Sequence, residues 1–341
     1  MDKKLTKLKR ALKAFPSLKK ESGSGIKAIK KILKCQVQLG LSGVKALFLR
    51  HENMQAAALA RQHTLPASDW LAQPRREAEC PICGEKGSRG TPAEVSLFFR
   101  VRCRIPKEQA IESRFCESCE HVFFSPPPTK EQLDRYYSGG YQNWFNMQER
   151  IAFEPGFSAH LEMLADPTSD HWKTRNSVYK EGLSEFKDFK GNVIDFGGDD
   201  GTLTQKIFPS TDNISVVDAG FTGNLSDLLR QCDFFFAAHV FEHLPKPYET
   251  LKDVAKNMKA NSYFWIEVPQ QYNGSLRDRW TEIEKGVPSP DPLAHMHEHI
   301  HHFSERSIET LLKRANINIE KRVLFPGSIM GLLGRKMDAS Q

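Results

Sequence analysis

The sequence lacks a membrane span, a secretory leader and internal repeats. No apolar run in its 341 residues approaches the ~18–20 residues that cross a bilayer. The Lys-rich N-terminus has neither a compact apolar core nor a small-residue cleavage site, so it does not have the form of a signal peptide. Cysteine is scarce, with seven in all. Four of the seven stand in CxxC pairs, a pattern that favours a metal site in a reducing compartment over disulfides, and we therefore predict a cytoplasmic protein.

The charge is divided unevenly along the chain. Residues 1–50 contain 14 Lys or Arg and 2 Asp or Glu, whereas the rest of the chain has an acidic excess although the whole carries +6. Apolar residues recur at helical spacing on either side of a flexible Ser22–Gly25 break, which predicts a basic amphipathic helical arm over 1–75. A solvated or self-docked arm is the favoured interpretation. The second interpretation is peripheral contact with an anionic membrane, to which each basic residue would contribute about 1 kcal/mol. A protein partner is a further alternative. Nucleic acid is an unfavoured partner, because the rest of the chain is acidic.

Four cysteines form the two CxxC pairs. They are Cys80 and Cys83, followed after 32 residues by Cys116 and Cys119. Four thiolates complete a closed tetrahedral site with no open position for catalysis, which is typical of structural Zn²⁺. Metal binding of ~10–16 kcal/mol can fold a module that has little core of its own. We therefore predict a structural zinc ribbon, with a redox pair or coincidental cysteines as the alternatives.

The predicted zinc-ribbon module spans 76–130 and ends in the stiff stretch Ser125–Pro128. Between the two cysteine pairs, Val95–Val101 has the character of a hairpin. His121 lies just beyond the last cysteine and is an alternative metal ligand. A helical connector is predicted to follow over 131–190.

Strand and helix patterns alternate from residue 191 to residue 341. Apolar runs predict strands over 192–195, 214–217, 234–238, 263–268, 317–324 and 328–333, with helices between most of them. Alternation of this kind indicates a mostly parallel sheet covered by helices on both faces. The predicted fold class is therefore α/β: a doubly wound, Rossmann-like sheet of the seven-stranded type that lacks one strand, preceded by the zinc ribbon and the basic arm.

A glycine-rich loop follows the first strand of this domain. It reads Asp195-Phe-Gly197-Gly198-Asp199-Asp200-Gly201, and it fails the GxGxxG pattern of nicotinamide cofactors, because Phe196 stands at the first glycine. The loop resembles the first motif of class I S-adenosylmethionine-dependent methyltransferases, Asp-x-Gly-x-Gly-x-Gly, with Asp199 in place of the middle glycine. This resemblance implies that S-adenosylmethionine is the cofactor and that it is bound through Asp195, Gly197, Gly198, Asp199 and Gly201.

Further landmarks follow in the order of that family. Asp218 ends the second strand and, by resemblance, holds the ribose hydroxyls, a charged hydrogen bond that contributes about 1.5–3 kcal/mol. The stretch His239-Val-Phe-Glu242-His243 resembles the family's continuation of the fourth strand, which implies that His239, Glu242 and His243 contact the cofactor. For Glu242 and His243 the alternative is a helix-start cap and a packed imidazole.

The cysteine-rich stretch extends the resemblance. CPICG and CESCEHVFFSPPPTKEQLDRYYSGGY are similar to the N-terminal zinc module of bacterial methyltransferases that act on nucleotide-linked sugars and related glycans. This implies a small-molecule or glycan acceptor, with Glu298 and His299 as the catalytic base pair and Tyr137 and Tyr141 lining the pocket. Histidine suits a base because it titrates near neutral pH.

The segment 295–302, HMHEHIHH, has other interpretations. Its histidines form either a polar loop in which His302 caps the following helix, or a metal site of His295, His297, His299 and His301. Ser304 is the predicted cap of that helix.

Two departures from the family pattern support rival functions. Asp199 stands where the amino-acid end of the cofactor presses on a glycine, so its side chain either blocks the site or meets the ammonium group of the cofactor. Only 13 residues separate Asp218 from Cys232, too few for the usual helix, third strand and adenine contact. A degenerate fold that serves as a binding or scaffold protein is the first rival, and an RNA methyltransferase that uses the zinc ribbon and the arm is the second.

Overall fold

The structure is a computed structural model. It describes residues 78–137, 144–154, 157–218, 221–270, 274–285, 292–325 and 328–338. The predicted arm and Tyr141 lie outside the described residues.

Two sheets organise the described part of the chain. Three antiparallel strands of the cysteine-rich region form the centre of the first sheet: β1 (Arg89–Val95), β2 (Ile111–Cys116) and β3 (His121–Ser125). Two short strands of the histidine-rich segment complete it, because β8 (His295–Met296) pairs with β1 and β9 (His301–His302) pairs with β3. The order is β8-β1-β2-β3-β9, so this segment belongs to the sheet of the cysteine-rich region.

The hairpin predicted over Val95–Val101 is wrong. The chain leaves β1 and turns at once into α1 (Leu97–Cys103), whose first turn is capped by the hydroxyl of Ser96 accepting from the backbone N–H of Phe99. Phe98 and Phe99 are buried on one side of this helix. Sequence spacing alone did not separate these two outcomes, because a short apolar run fits a helix or a strand.

The second sheet is the predicted doubly wound one. Its order is β10-β11-β7-β6-β4-β5, and β5, β4, β6 and β7 run parallel whereas β11 pairs antiparallel with both of its neighbours. The strands are β4 (Val193–Phe196), β5 (Ile214–Val217), β6 (Phe234–Ala238), β7 (Tyr263–Pro269), β10 (Ile317–Phe325) and β11 (Ile329–Lys336). Within the described ranges the connection from β5 to β6 contains one helix and no strand, so the sheet has six strands.

Helices connect and cover this sheet. Four precede it: α2 (Lys130–Tyr137), α3 (Trp144–Phe153), α4 (Phe157–Ala165) and α5 (Asp170–Leu183). The others are α6 (Thr202–Ile207), α7 (Leu225–Gln231), α8 (Pro247–Asn257), α9 (Leu276–Glu284) and α10 (Glu305–Arg314). None of the helices in the described part of the chain has the length and apolarity that a membrane span requires.

Alternate residues of the central strand β6 face opposite layers. Phe234 and Phe236 pack with Tyr179 of α5 on one face, whereas Phe235 packs with Leu251 of α8 and Leu311 of α10 on the other. This period of two is the expected consequence of the pleat. Both faces are apolar because both are covered, and for that reason the strand reads FFFAA without polar alternation.

Candidate functional site

The strand order defines a crevice at one edge of the second sheet. The chain passes from β4 outward to β5 and then returns to the other side of β4 to form β6. In open parallel sheets, ligands bind outside the carboxyl ends of the strands where the order reverses in this way. The glycine loop follows β4, and the segment His239–His243 follows β6, so both flank the crevice.

The glycine loop has three residues in the left-handed region. The φ angles are 77° at Gly197, 51° at Asp199 and 73° at Gly201. A Cβ on Gly197 would lie 2.5 Å from Cγ2 of Val240, so only glycine fits between the two loops. Aspartate is one of the few other residues that adopt this region, because its short polar side chain bonds locally. Asp199 therefore keeps the backbone conformation that a glycine would give.

Asp195 lies beneath the loop. It is 2% exposed, accepts a hydrogen bond from the hydroxyl of Thr204 in α6, and fills the space next to Gly198, where a Cβ would come within 2.0 Å of its Oδ2 atom. Burial raises the pKa of Asp195 to about 6, and the nearby Asp218 and Asp200 add to the rise while the Thr204 hydrogen bond opposes it. The carboxylate thus fills the space beneath the loop and leaves no room for a side chain at Gly198.

The rim of the crevice is acidic and open. Gly197, Asp199 and Asp218 are exposed. The backbone N–H of Asp199 donates to Oδ2 of Asp218 over 2.7 Å, which ties the loop after β4 to the end of β5. Partial burial raises the pKa of Asp199, and the charges of Asp200 and Asp218 add to the rise. A cationic group placed here would relieve the repulsion between these carboxylates.

A buried charge network lies at the carboxyl ends of β6 and β7. Its centre is Glu267 of β7, which is fully buried and whose Oε1 accepts hydrogen bonds from Arg175 and Tyr179 of α5, both over 3.1 Å. Nε2 of His239 lies 3.1 Å from the same oxygen. Burial would raise the pKa of Glu267, but the cations Arg175 and His239 outweigh it and hold that pKa below its usual range. Sequence reasoning missed Glu267; an acid inside the apolar run YFWIEVP was the available signal.

His239 connects this network to Glu242. Its Nδ1 lies 3.3 Å from Oε1 of Glu242, and its backbone has a φ of 57°. Burial alone would lower the pKa of His239, but the two carboxylates overcome this and raise it to about 9. Burial alone would likewise raise the pKa of Glu242, but the neighbouring imidazoles lower it to about 2. Of the predicted cofactor contacts, His239 and Glu242 thus belong to a buried network whose far end is Arg175.

Glu298 and His299, the two residues predicted to form the catalytic base, lie in different environments. The carboxylate of Glu298 is held by Nη1 of Arg150 at 3.0 Å and by the hydroxyl of Tyr136 at 2.9 Å. The ring of His299 instead packs against that of His243, with centroids 4.8 Å apart. Burial, and then the charge of His243, lower the pKa of His299 to about 4, so its ring is neutral at pH 7 and can accept a proton only as a weak base.

Tyr137 is the predicted pocket residue that the structure describes. Its ring lies edge-on to His243 with centroids 6.4 Å apart. The structure therefore brings Tyr137, His243, His299 and Glu242 together, and it places the Glu298 carboxylate toward Arg150.

The other histidines of the segment lie in separate surroundings. His297 contacts Glu154 over 3.3 Å, and Nε2 of His301 lies 2.8 Å from the backbone oxygen of Leu244. The predicted four-histidine metal site does not form among the described residues, since His297 and His301 are directed to these different partners. His302 is buried in β9 and does not cap the helix; Ser304 caps α10, as predicted.

The four predicted zinc ligands converge on one point. Sγ of Cys80 lies 3.6 Å from Sγ of Cys119, and Sγ of Cys83 lies 3.5 Å from Sγ of Cys116. Tetrahedral Zn–S bonds of ~2.3 Å place sulfur atoms about 3.8 Å apart. His121 stays outside this group, because its Nε2 faces Nδ1 of His301 at 3.0 Å. The donor set and its spacing fit a structural zinc ion.

The two cysteine pairs sit on matching turns. Gly84 and Glu120, the residues directly after each pair, have φ angles of 80° and 57°. Their backbone N–H groups donate to the carbonyl oxygens of Cys80 and Cys116 over 2.9 and 2.8 Å. Two equivalent knuckles that face each other are the arrangement that a closed four-sulfur site requires.

A comparison with protein families matches the region that contains the parallel strands of the second sheet. The family model described as a methyltransferase domain matches residues 171–322, just under half of the chain. The match begins within α5, so the last connector helix lies inside the matched region. No curated protein matches the chain.

Three solved structures to which the chain is similar have titles that name methyltransferases. One is a SAM-dependent methyltransferase from Aquifex aeolicus, 16% identical, covering 52% of this chain and 97% of that protein with a TM-score of 0.35. Another is the N-methyltransferase NodS from Bradyrhizobium japonicum with bound S-adenosylhomocysteine. It is 13% identical, and the match covers 53% of this chain and 98% of that protein with a TM-score of 0.34. A third is the 1,6-didemethyltoxoflavin-N1-methyltransferase from Burkholderia thailandensis, 12% identical, covering 55% of this chain and 87% of that protein with a TM-score of 0.35.

Proposed function

We propose that residues 171–322 form the catalytic domain of an S-adenosylmethionine-dependent methyltransferase and bind the cofactor across the carboxyl ends of β4, β5 and β6. The observation that carries this proposal is the exposed glycine loop at the ends of the parallel strands: Gly197 is exposed, and the carboxylate of Asp218 accepts a hydrogen bond from the loop. We assign Asp218 to the ribose hydroxyls of the cofactor and Asp199 to the ammonium group of its methionine end. When bound, the cofactor supplies an electrophilic methyl group.

The remaining residues of the site serve the acceptor. His243, His299 and Tyr137 lie together beyond the end of β6, where an acceptor would meet the methyl group. Alignment of the two reactants is worth ~7–11 kcal/mol. His299 is our candidate base, and Glu298, tied to Arg150 and Tyr136, positions the His299 segment.

We propose a sugar, a nucleotide-linked sugar or a glycan as the acceptor, and the zinc ribbon as the element that closes the site. The support is the resemblance of the cysteine-rich region to sugar methyltransferases, together with the pairing of β8 and β9 into its sheet. That pairing fixes the segment that carries His299, so loss of zinc would displace the candidate base.

The test is methyl transfer from radiolabelled S-adenosylmethionine to a panel of nucleotide-linked sugars and, in parallel, to RNA. Labelled sugar product that disappears in His299→Ala, with cofactor binding retained, supports the proposal. Labelling of RNA alone would contradict the acceptor class. Full activity of His299→Ala would remove this residue as the base.

The second candidate function is a degenerate, non-catalytic methyltransferase fold. Two observations favour it: Asp199 occupies a glycine position, and the β5–β6 connection contains only α7 within the described ranges. Calorimetry separates the two candidates, because a scaffold with a blocked crevice gives no heat with S-adenosylmethionine.

A further inference from the structure

Glu242, His243 and His299 form a cluster, here called the Glu242 cluster. One potential ligand atom from each residue lies within 4.8 Å of the other two. Glu242 is completely buried, and the two histidines are partly buried. A carboxylate and two imidazoles are the donors of many catalytic sites for divalent transition cations.

The ring of His243 is held in the orientation of a metal ligand. Its Nδ1 lies 2.9 Å from the backbone carbonyl oxygen of Glu298. A carbonyl oxygen can only accept, so Nδ1 carries the hydrogen. In the neutral ring, Nε2 then has a free lone pair, and it faces Oε1 of Glu242 at 3.8 Å. Metal-bound histidines almost always donate their other N–H to a carbonyl or carboxylate in this way.

The carboxylate of Glu242 has unused acceptor capacity. Neither oxygen makes a hydrogen bond within the part of the chain that the structure describes. The nearest cation, His239, approaches Oε1 to 3.3 Å without hydrogen-bond geometry and is shared with Glu267. A buried carboxylate with unfilled acceptor positions is unfavourable, and a cation between Oε1 and Nε2 of His243 would satisfy both atoms.

Backbone bonds fix the cluster across two separate chain segments. The N–H of Ile300 donates to the carbonyl oxygen of Glu242 over 2.9 Å, next to the contact between His243 and Glu298. The ring of His299 stands at 70° to that of His243. A cation with bonds of ~2.1 Å holds its ligand atoms about 3.4 Å apart, so side-chain adjustments of about 1 Å complete the site.

We propose that Glu242, His243 and His299 bind one divalent first-row transition cation, with open coordination positions toward the crevice. The site differs from the four-cysteine site in its donors: nitrogen and oxygen accept Mn²⁺, which thiolates do not favour. In an enzyme of the proposed function, such a cation would lower the pKa of a bound acceptor hydroxyl. That role rests on the proposed function, whereas cation binding does not. With the cation bound, His299 would act as a ligand and not as the base.

The test is titration of the full-length, zinc-loaded protein with Mn²⁺, followed by the loss of the electron paramagnetic resonance signal of free Mn²⁺. We expect one Mn²⁺ per chain in the wild type. Binding should weaken at least tenfold in Glu242→Gln and in His299→Ala. His297→Ala is the matched control, because this neighbouring histidine is 38% exposed and contacts Glu154 instead; it should bind as the wild type does.

Several outcomes are decisive. Zinc content and the circular dichroism spectrum, unchanged in all variants, show that the fold persists, and His299→Ala serves if the buried Glu242→Gln fails to fold. No Mn²⁺ binding in the wild type, or equal binding in His299→Ala, overturns the proposal. Calorimetry with S-adenosylhomocysteine in metal-free buffer tests the cofactor site separately: cofactor binding without Mn²⁺ binding would refute the cation site and leave the proposed function standing.

Discussion

Replacement of Asp195 by Asn should stabilise the protein relative to the wild type, by an amount that grows as the pH rises. The pKa of Asp195 is raised by burial from 3.8 to about 6. At 1.36 kcal/mol per pKa unit, this difference corresponds to about 3 kcal/mol. The pKa of Asp195 is higher in the folded protein than in the unfolded chain, so ionisation of Asp195 destabilises the folded state. This destabilisation is absent below both pKa values, grows as the pH rises between them, and is complete above about pH 6. Asn keeps the shape and can still accept from Thr204, but it never ionises.

The quantity to measure is the difference in stability between the variant and the wild type, and how this difference changes with pH. About half of the destabilisation by ionised Asp195, roughly 1.4 kcal/mol, develops between pH 5 and pH 8. A constant contribution from the Asn amide cancels in this comparison. At ~2 °C per kcal/mol for a large domain, the Tm difference should shift by about 3 °C in favour of Asp195→Asn over this range.

Differential scanning fluorimetry at several pH values is the assay, with the metal content held constant. Asp188→Asn is the control: Asp188 is exposed and is not one of the charges that shift the pKa of Asp195, so its curve should run parallel to that of the wild type from pH 5 to pH 8. Parallel curves for Asp195→Asn as well would mean that Asp195 ionises normally, and the description of a carboxylate buried beneath the loop would be wrong.

Three further predictions concern the metal, the network and the loop. Cys116→Ser should release one zinc per chain by elemental analysis while Cys103→Ser retains it, and zinc retained in the first variant would refute the four-sulfur site. Glu267→Gln should leave buried cations without their partner and destabilise the protein by about 3–5 kcal/mol in a thermal melt; a Tm within 1–2 °C of the wild type would contradict this. Gly197→Ala should weaken S-adenosylhomocysteine binding and lower the Tm more than Gly87→Ala, since both have positive φ but Gly87 has no neighbour within 4 Å; equal effects would mean that the contact with Val240 is unimportant.

The fold was largely predictable because its signals are local. The parallel strands read as apolar runs, since both faces of the sheet are covered, and Ser304 precedes an amphipathic helix that it caps. The knuckles were predictable from the spacing of the cysteines, because two residues between thiolates suffice to bind one ion. The positive φ angle of Asp199 could not be predicted from the sequence, because the conformation of the whole glycine loop determines it.

The candidate site was less predictable because its contacts are long-range. The pairing of Glu267 with Arg175 joins residues 92 positions apart, and Glu298 meets Arg150 across 148. Spacing along the chain carries no information on such pairs. The interpretations of segment 295–302 included a four-histidine metal site, but the two ends of the segment pair with β1 and β3 on opposite sides of the first sheet, so its histidines lie in different environments.

Isothermal titration calorimetry of the zinc-loaded protein with S-adenosylhomocysteine tests the central claim most directly. If the exposed glycine loop and Asp218 form a working cofactor crevice, one ligand binds per chain, and Asp218→Ala weakens that binding at least tenfold, as expected for a lost charged hydrogen bond. Absence of binding heat with folded protein, or affinity unchanged in Asp218→Ala, would contradict the account.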